Sequence, residues 1–420
     1  MTTRINLIGA ACAVALAGLF AAAAQAKPIA RVIPDIPSQI AGPRSPQAQA
    51  ANLPYGGGPV LHSNRTHVIF WQPSGSGLTF DPGYESLIQS FLTNVAADSR
   101  RPTSVYGLTG QYRDGFGPAA YDSAYGGAVV ATDQLPASSC IEPPVTGPGW
   151  GVCLSDSQLQ AEIEHVIRTD RLPTGPDDVY FLVTPKGLGS CTDKSSTSCA
   201  LGGSVSGYCA YHSITNDGVV LYAVIPYNAV AGHCQSDKPR PNGSTADPAV
   251  SVISHEHSEM ITDPAGDAWI DGSGKEDGDL CITNFGPAIG GSGATAWNEE
   301  IHGGHYFLQE EWSNENNSCQ PRDEWDSVSF STPVRAQKQK RVLFTAHARD
   351  PDGSIVSYAW FFGSGRTGRG RVVGHVFTIP GAFKVVLRTT DRAGNWAFYA
   401  RTVNVSSAGA VRTAGAAKSG

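Results

Sequence analysis

Apolar positions between residues 55 and 322 follow two different periods. From Tyr84 to Val95, Leu87, Ile88, Phe91, Leu92 and Val95 recur at helical spacing, and Ser157 to Arg168 predicts a second helix with Ser155 or Asp156 as its N-cap. Val60-Leu61 and His67-Val-Ile-Phe-Trp71 predict strands joined by the turn Ser63-Asn64-Arg65. Asp178-Val-Tyr-Phe-Leu-Val-Thr184 and Val219-Val-Leu-Tyr-Ala-Val-Ile225 are short continuous apolar runs of the kind buried on both faces. Strands alternating with helices predict an α/β or α+β domain with a central sheet.

A third helix is written into residues 247–263. Asp247-Pro248 supplies an N-cap side chain and a proline at the first helical position, and Pro264 closes the run at Asp263. Ala249, Val250, Ile253 and Met260 form an apolar face that Val252 and Ile261 widen. Ser251, His255 and Glu259 recur every four residues on the other face. An imidazole and a carboxylate one turn apart can grip a divalent cation, with Glu256 beside them as general base. This is the logic of the zinc-protease helix His-Glu-x-x-His, except that Glu259 stands where the second histidine would be.

Beyond residue 322 the pattern shifts to alternating strands such as Phe383-Lys-Val-Val-Leu-Arg388, with frequent Gly, Pro and Asp turns and Trp360 as a core anchor, which predicts a β-sandwich. Charge marks the same boundary. Residues 27–322 carry 15 Lys+Arg against 31 Asp+Glu (15 − 31 = −16), and residues 323–408 carry 12 against 6 (12 − 6 = +6). An acidic main part is poorly suited to nucleic acid and well suited to cations; the basic part could rest on anionic polymers.

The first residues read as an address. Arg4, the alanine-rich apolar run and Ala24-Gln25-Ala26 predict a signal peptide over residues 1–26, hence a secreted, extracellular or periplasmic protein. Residues 27–54, rich in Pro, Ala and Gln, read as a flexible leader, and the tail from Ser407 as disordered. No later stretch reaches the length of a membrane span. Cys12 lies in the signal. Cys140, Cys153, Cys191, Cys199, Cys209, Cys234, Cys281 and Cys319 predict four disulfides, in the simplest pairing 140–153, 191–199, 209–234 and 281–319, although sequence leaves connectivity open.

Several stretches carry family resemblances. Tyr55-Gly-Gly-Gly-Pro59, His67–Trp71, Val179–Pro185, Cys209-Ala-Tyr-His-Ser213, Ser254–Pro264, Gly278-Asp-Leu-Cys281 and Gln309-Glu-Glu-Trp-Ser-Asn314 together make residues 55–320 resemble the microbial form of the secreted phosphate-induced, EXORDIUM-like family. The resemblance implies a secreted, cysteine-bridged α/β protein and no particular reaction. Asp350-Pro-Asp-Gly through Trp360-Phe-Phe-Gly363, His375-Val-Phe377, Pro380–Leu387 and Asp391-Arg-Ala-Gly-Asn395 make residues 325–406 resemble a PKD (polycystic kidney disease) domain. That implies an immunoglobulin-like accessory module that spaces or attaches; Ser364 departs from the family, which usually has Asp there.

A metal-dependent hydrolase needs a third ligand. Asp279 ranks first because a bridged Cys281 would hold it; Asp263 is second, and His302 and His305 third. Zinc heads the candidate metals, with calcium or manganese behind it because two carboxylates harden the site. His257 points nearly opposite to Glu259 and reads as a surface histidine, while His212 reads as a polar core position. No Gly-x-Ser-x-Gly occurs, and no phosphate-cradling glycine motif lies between a strand and a helix, so nucleotide cofactors are not expected. The expectation is a peptidase-like metallohydrolase whose PKD module holds it to a protein or polysaccharide substrate or surface. The alternative is a non-catalytic extracellular or cell-wall binding protein in which the helix is structural.

Overall fold

Strands β5 (Asp178–Val183) and β9 (Leu221–Ile225) are buried at every position, because both faces of the central sheet are covered by helices. They belong to a nine-stranded sheet that also contains β1 (Arg31–Pro34), β2 (Asn64–Trp71), β3 (Ser123–Ala131), β4 (Val152–Ser155), β6 (Leu188–Cys191), β7 (Ser198–Ala200) and β8 (Ser206–Ile214). The strand order is β3-β2-β5-β9-β8-β7-β6-β4, with β1 added antiparallel along β8. From β3 to β9 neighbouring strands are parallel; β8 then runs antiparallel to β9. This is a computed structural model, and it describes residues 31–34, 52–140, 150–192, 194–202, 206–323, 327–333, 336–350 and 353–407. Among them no helix is long and apolar enough to cross a membrane. The expected signal peptide and almost all of the tail from Ser407 lie outside the described residues.

The expected helices are all present: α1 is Tyr84–Ala97, α2 is Asp156–Asp170 and α3 is Asp247–Thr262. Ser155 caps α2 in a capping box closed by Gln158. The alternation of β8 shows where the helices lie. The Tyr211 hydroxyl donates to Asp156 of α2 at 2.8 Å, whereas the next residue, His212, meets Glu256 of α3 at 2.8 Å. Successive side chains point to opposite faces, so α2 and α3 sandwich the sheet at β8. Three expectations need correction here. Val60 and Leu61 form no strand, although both are buried. Asn64, expected in a turn, begins β2. Residues 31–34, expected in a flexible leader, pair with Tyr208–His212 of β8.

The four disulfides join Cys140–Cys153, Cys191–Cys199, Cys209–Cys234 and Cys281–Cys319. After the sheet come two hairpins, β10 (Glu299–Ile301) with β11 (Gly304–Tyr306) and β12 (Glu311–Ser313) with β13 (Ser318–Gln320).

The C-terminal unit is a two-sheet sandwich. One sheet is β14 (Ser327–Ser331), β16 (Arg341–Arg349) and β19 (Val372–Val376). The other contains β15 (Ala336–Gln337), β17 (Ile355–Phe361), β18 (Thr367–Arg369), β20 (Gly381–Asp391) and β21 (Trp396–Ser406). Trp360 is fully buried among Phe330, Phe344 and Phe362, and its indole N–H donates to the Gly370 carbonyl at 2.9 Å. The β20–β21 turn reaches the main domain: the Asn395 side-chain amide donates to the Gly107 carbonyl at 2.7 Å and to Asp323 at 2.8 Å.

Candidate metal centre

Every residue of α3 is buried, polar ones included. Its hydrophobic half packs into the core beneath the sheet, and its polar face is covered by the loop 276–279 and by the segment leading to β12. Asp277 lays that loop along the helix. One of its carboxylate oxygens accepts from the Ser258 hydroxyl at 3.1 Å and the other from Thr262 at 3.2 Å. The Cys281–Cys319 disulfide then ties the end of the loop to β13. Gly278 passes so close to the helix that an added Cβ would lie 2.6 Å from Nδ1 of His255. Only a residue without a side chain fits there.

These constraints bring His255, Glu259 and Asp279 together. Nε2 of His255 lies 2.9 Å from Oε1 of Glu259 and 4.0 Å from Oδ1 of Asp279. The backbone N–H of Asp279 donates to the same Glu259 oxygen at 3.1 Å. Close as Nε2 and Oε1 are, their angle does not suit a hydrogen bond, and Nε2 has no hydrogen-bond partner. Two ligand-type atoms side by side, not aimed at each other, are what one cation asks of two ligands. On the far side of the ring, Nδ1 accepts from the Gln309 side-chain amide at 3.0 Å, which also donates to the Gly278 carbonyl at 2.7 Å. An ion on Nε2 would need the ring proton on Nδ1. The Gln309 carbonyl oxygen, itself without a partner, can accept that proton once the amide turns over, at the expense of the Gly278 bond.

The electrostatics are those of a crowded, dry carboxylate cluster. Burial, reinforced by Asp279, Glu276 and Glu256, raises the pKa of Glu259 well above its ordinary value. Burial and Asp279 do the same for Glu256. Asp277 is pushed up to about 6 by burial, and His255 is lowered to about 3 by burial against the opposing Gln309 bond. Unlike charges would relieve this; a bound cation is one such charge.

Some expected residues serve elsewhere. One oxygen of Asp263 accepts the backbone N–H groups of Asp267 and Ala268, each at 2.7 Å, and so closes the turn after α3. His302 bonds to Asp98 at the surface, and His305 stacks on Trp297 with ring centroids 4.1 Å apart. His257 is not a surface histidine: it is fully buried, with Nε2 2.8 Å from the Asn64 side-chain oxygen and Nδ1 3.2 Å from the Tyr106 hydroxyl. The reason is that α3 has no solvent face. Sequence reasoning passed over Glu276 and Gln309, and it gave His212 no partner. The density of carboxylates in Glu276-Asp277-Gly278-Asp279 was the available signal.

Comparison with known proteins identifies one part of the chain. Residues 328–405 match the PKD domain family, and this segment is a PKD domain. The PKD1 domain of Vibrio anguillarum Epp is 26% identical over 21% of this chain and 100% of its own length, with a TM-score of 0.19. The PKD1 domain of the Vibrio cholerae metalloprotease PrtV is 31% identical over 19% of this chain and 93% of that one, TM-score 0.17. A structure described for carbohydrate-binding modules of the β-sandwich superfamily is 30% identical over 21% of this chain, but the match spans only 37% of that chain, TM-score 0.20. OgpA from Akkermansia muciniphila aligns with 88% of this chain and 98% of its own at 9% identity and a TM-score of 0.22. At such TM-scores the structural likenesses carry no function across, and the EXORDIUM-like resemblance of residues 55–320 rests on its sequence stretches alone.

Proposed function

We propose that the chain is an extracellular metal-dependent hydrolase, peptidase-like, whose PKD domain attaches it to a protein or polysaccharide substrate or surface. The observation that carries this reading is the His255–Glu259 pair, 2.9 Å apart without hydrogen-bond geometry, with Asp279 as third ligand. A divalent ion bound there supplies Lewis acidity toward a carbonyl and toward water. Glu256 is the base. Its Oε2 is held by His212, which orients the carboxylate, and its Oε1 has no partner and can take up a proton. Asp279, at 11% side-chain exposure, is the member nearest solvent, so substrate approaches from its side. Four disulfides support an extracellular setting.

The burial of His255 and Glu259 favours a second reading, a structural cation in a binding protein. One set of measurements separates the two. Protein purified without chelator is analysed for metal and assayed on a general protein substrate. Glu256→Gln is expected to keep the metal and lose activity by ~10²-fold or more, while His255→Ala loses the metal. Metal without activity supports the structural reading, and a wild-type protein free of metal refutes both.

A further inference from the structure

Glu259 belongs to two ligand sets at once. Its Oε1 faces His255 Nε2 at 2.9 Å, and its Oε2 lies 3.6 Å from His212 Nδ1 on β8. One donor atom each from His255, Glu259 and Asp279 fall within 4.8 Å of one another, and so do one each from His212, Glu259 and Glu276. Building on the single-ion reading above, we propose that the site holds two divalent cations bridged by the Glu259 carboxylate. His255 and Asp279 hold one; His212 and Glu276 hold the other.

Charge balance favours two ions over one. Glu256, Glu259, Glu276 and Asp279 bring four carboxylates together, the first three at most 2% exposed. Both histidines are buried. Ionised, the four carboxylates carry four negative charges, and buried charge has to be compensated. One dication offsets only two of these charges and a second offsets the other two, while Asp277 is held separately by the hydroxyls of Ser258 and Thr262. Two fully buried atoms of the cluster, Glu256 Oε1 and His255 Nε2, have no hydrogen-bond partner, as befits atoms whose natural counterpart is a cation.

The geometry is compatible with such a pair. A carboxylate that gives one oxygen to each metal sets them about 3.5–4 Å apart, the spacing of two-metal hydrolytic sites. His212 Nδ1 lies 2.8 Å from Glu256 Oε2, and its Nε2, 3.7 Å from Glu276 Oε1, is the nitrogen assigned to the second ion. The same bond orients Glu256, so the second ion would sit beside the base. Imidazole with carboxylate donors suits manganese or zinc better than the all-oxygen preference of calcium.

The test is metal stoichiometry on the full chain, loaded with Mn²⁺ and separately with Zn²⁺, then freed of loosely held ion and analysed by mass spectrometry. Two equivalents per chain are expected in the wild type, one in His212→Ala and in Glu276→Gln, and fewer than one in Glu259→Gln. The Mn²⁺ form should also give the electron paramagnetic resonance spectrum of a coupled pair, a readout that needs no variant. One equivalent in the wild type, with an uncoupled spectrum, overturns the pair and leaves the single-ion site standing. No metal in the wild type overturns both.

Discussion

Replacing Glu162 by Gln is expected to flatten part of the pH dependence of stability. Glu162 lies on α2, 8% exposed, with one carboxylate oxygen lacking a partner. Burial, then the negative charge of Asp133 and a hydrogen bond to it, raise its pKa from 4.5 to about 7. A raised carboxylate pKa means that the folded state holds a proton the unfolded state has released. Its contribution to stability is therefore complete below about pH 4.5 and is lost as pH rises through about 7. A difference of ~2.5 pKa units corresponds to about 3.4 kcal/mol. Solvent reaching the side chain from its open side reduces this to about 1–3 kcal/mol. Gln keeps the shape and the hydrogen-bond donor without the titration. Chemical denaturation of both proteins at pH 5 and pH 8 should show the variant gaining that amount, relative to wild type, at the higher pH. His165, 3.3 Å from Asp133, is common to both proteins and cancels in the comparison to first order. A variant-minus-wild-type difference equal at the two pH values would refute the reasoning.

Two further predictions concern the loop over α3. Gly278→Ala places a Cβ 2.6 Å from Nδ1 and 2.7 Å from Cε1 of His255, so the ring must move; metal affinity, measured by competition with a chelator, should fall at least ~10-fold, and unchanged affinity would contradict the assigned ligand. Converting Cys281 and Cys319 to Ser opens a 38-residue separation and should cost about 4 kcal/mol in denaturant unfolding; a loss below ~1 kcal/mol would mean that the loop is held by Asp277 and not by the bridge.

What the sequence disclosed depended on whether the signal was local. The apolar periods of α1, α2 and β5 are local, and the structure reproduces them. Trp360 was recognisable as a core anchor because a sandwich repeats its pattern over a few residues. The His255–Glu259 pairing was legible from a four-residue spacing. His257 was misplaced because periodicity assumes that a helix has a wet side, and α3 is enclosed on every side. His212 and Gln309 reach the centre from 43 residues before and 54 residues after His255 (255 − 212 = 43; 309 − 255 = 54). No spacing rule connects positions that far apart. The strand at residues 31–34 escaped notice for a similar reason: it is a strand only because β8 offers it an edge.

The order of the cysteines has a consequence for how this protein matures. Counting from Cys140, the cysteines are bonded in successive pairs along the chain, the first with the second, the third with the fourth and so on, over separations of 13, 8, 25 and 38 residues. Eight cysteines allow 105 connectivities, and this one alone lets every thiol meet its partner before any later thiol has emerged. A chain delivered N-terminus first into an oxidising space can close each loop as it arrives. Along such a route oxidation would follow the direction of synthesis, and the native pairs would need no shuffling.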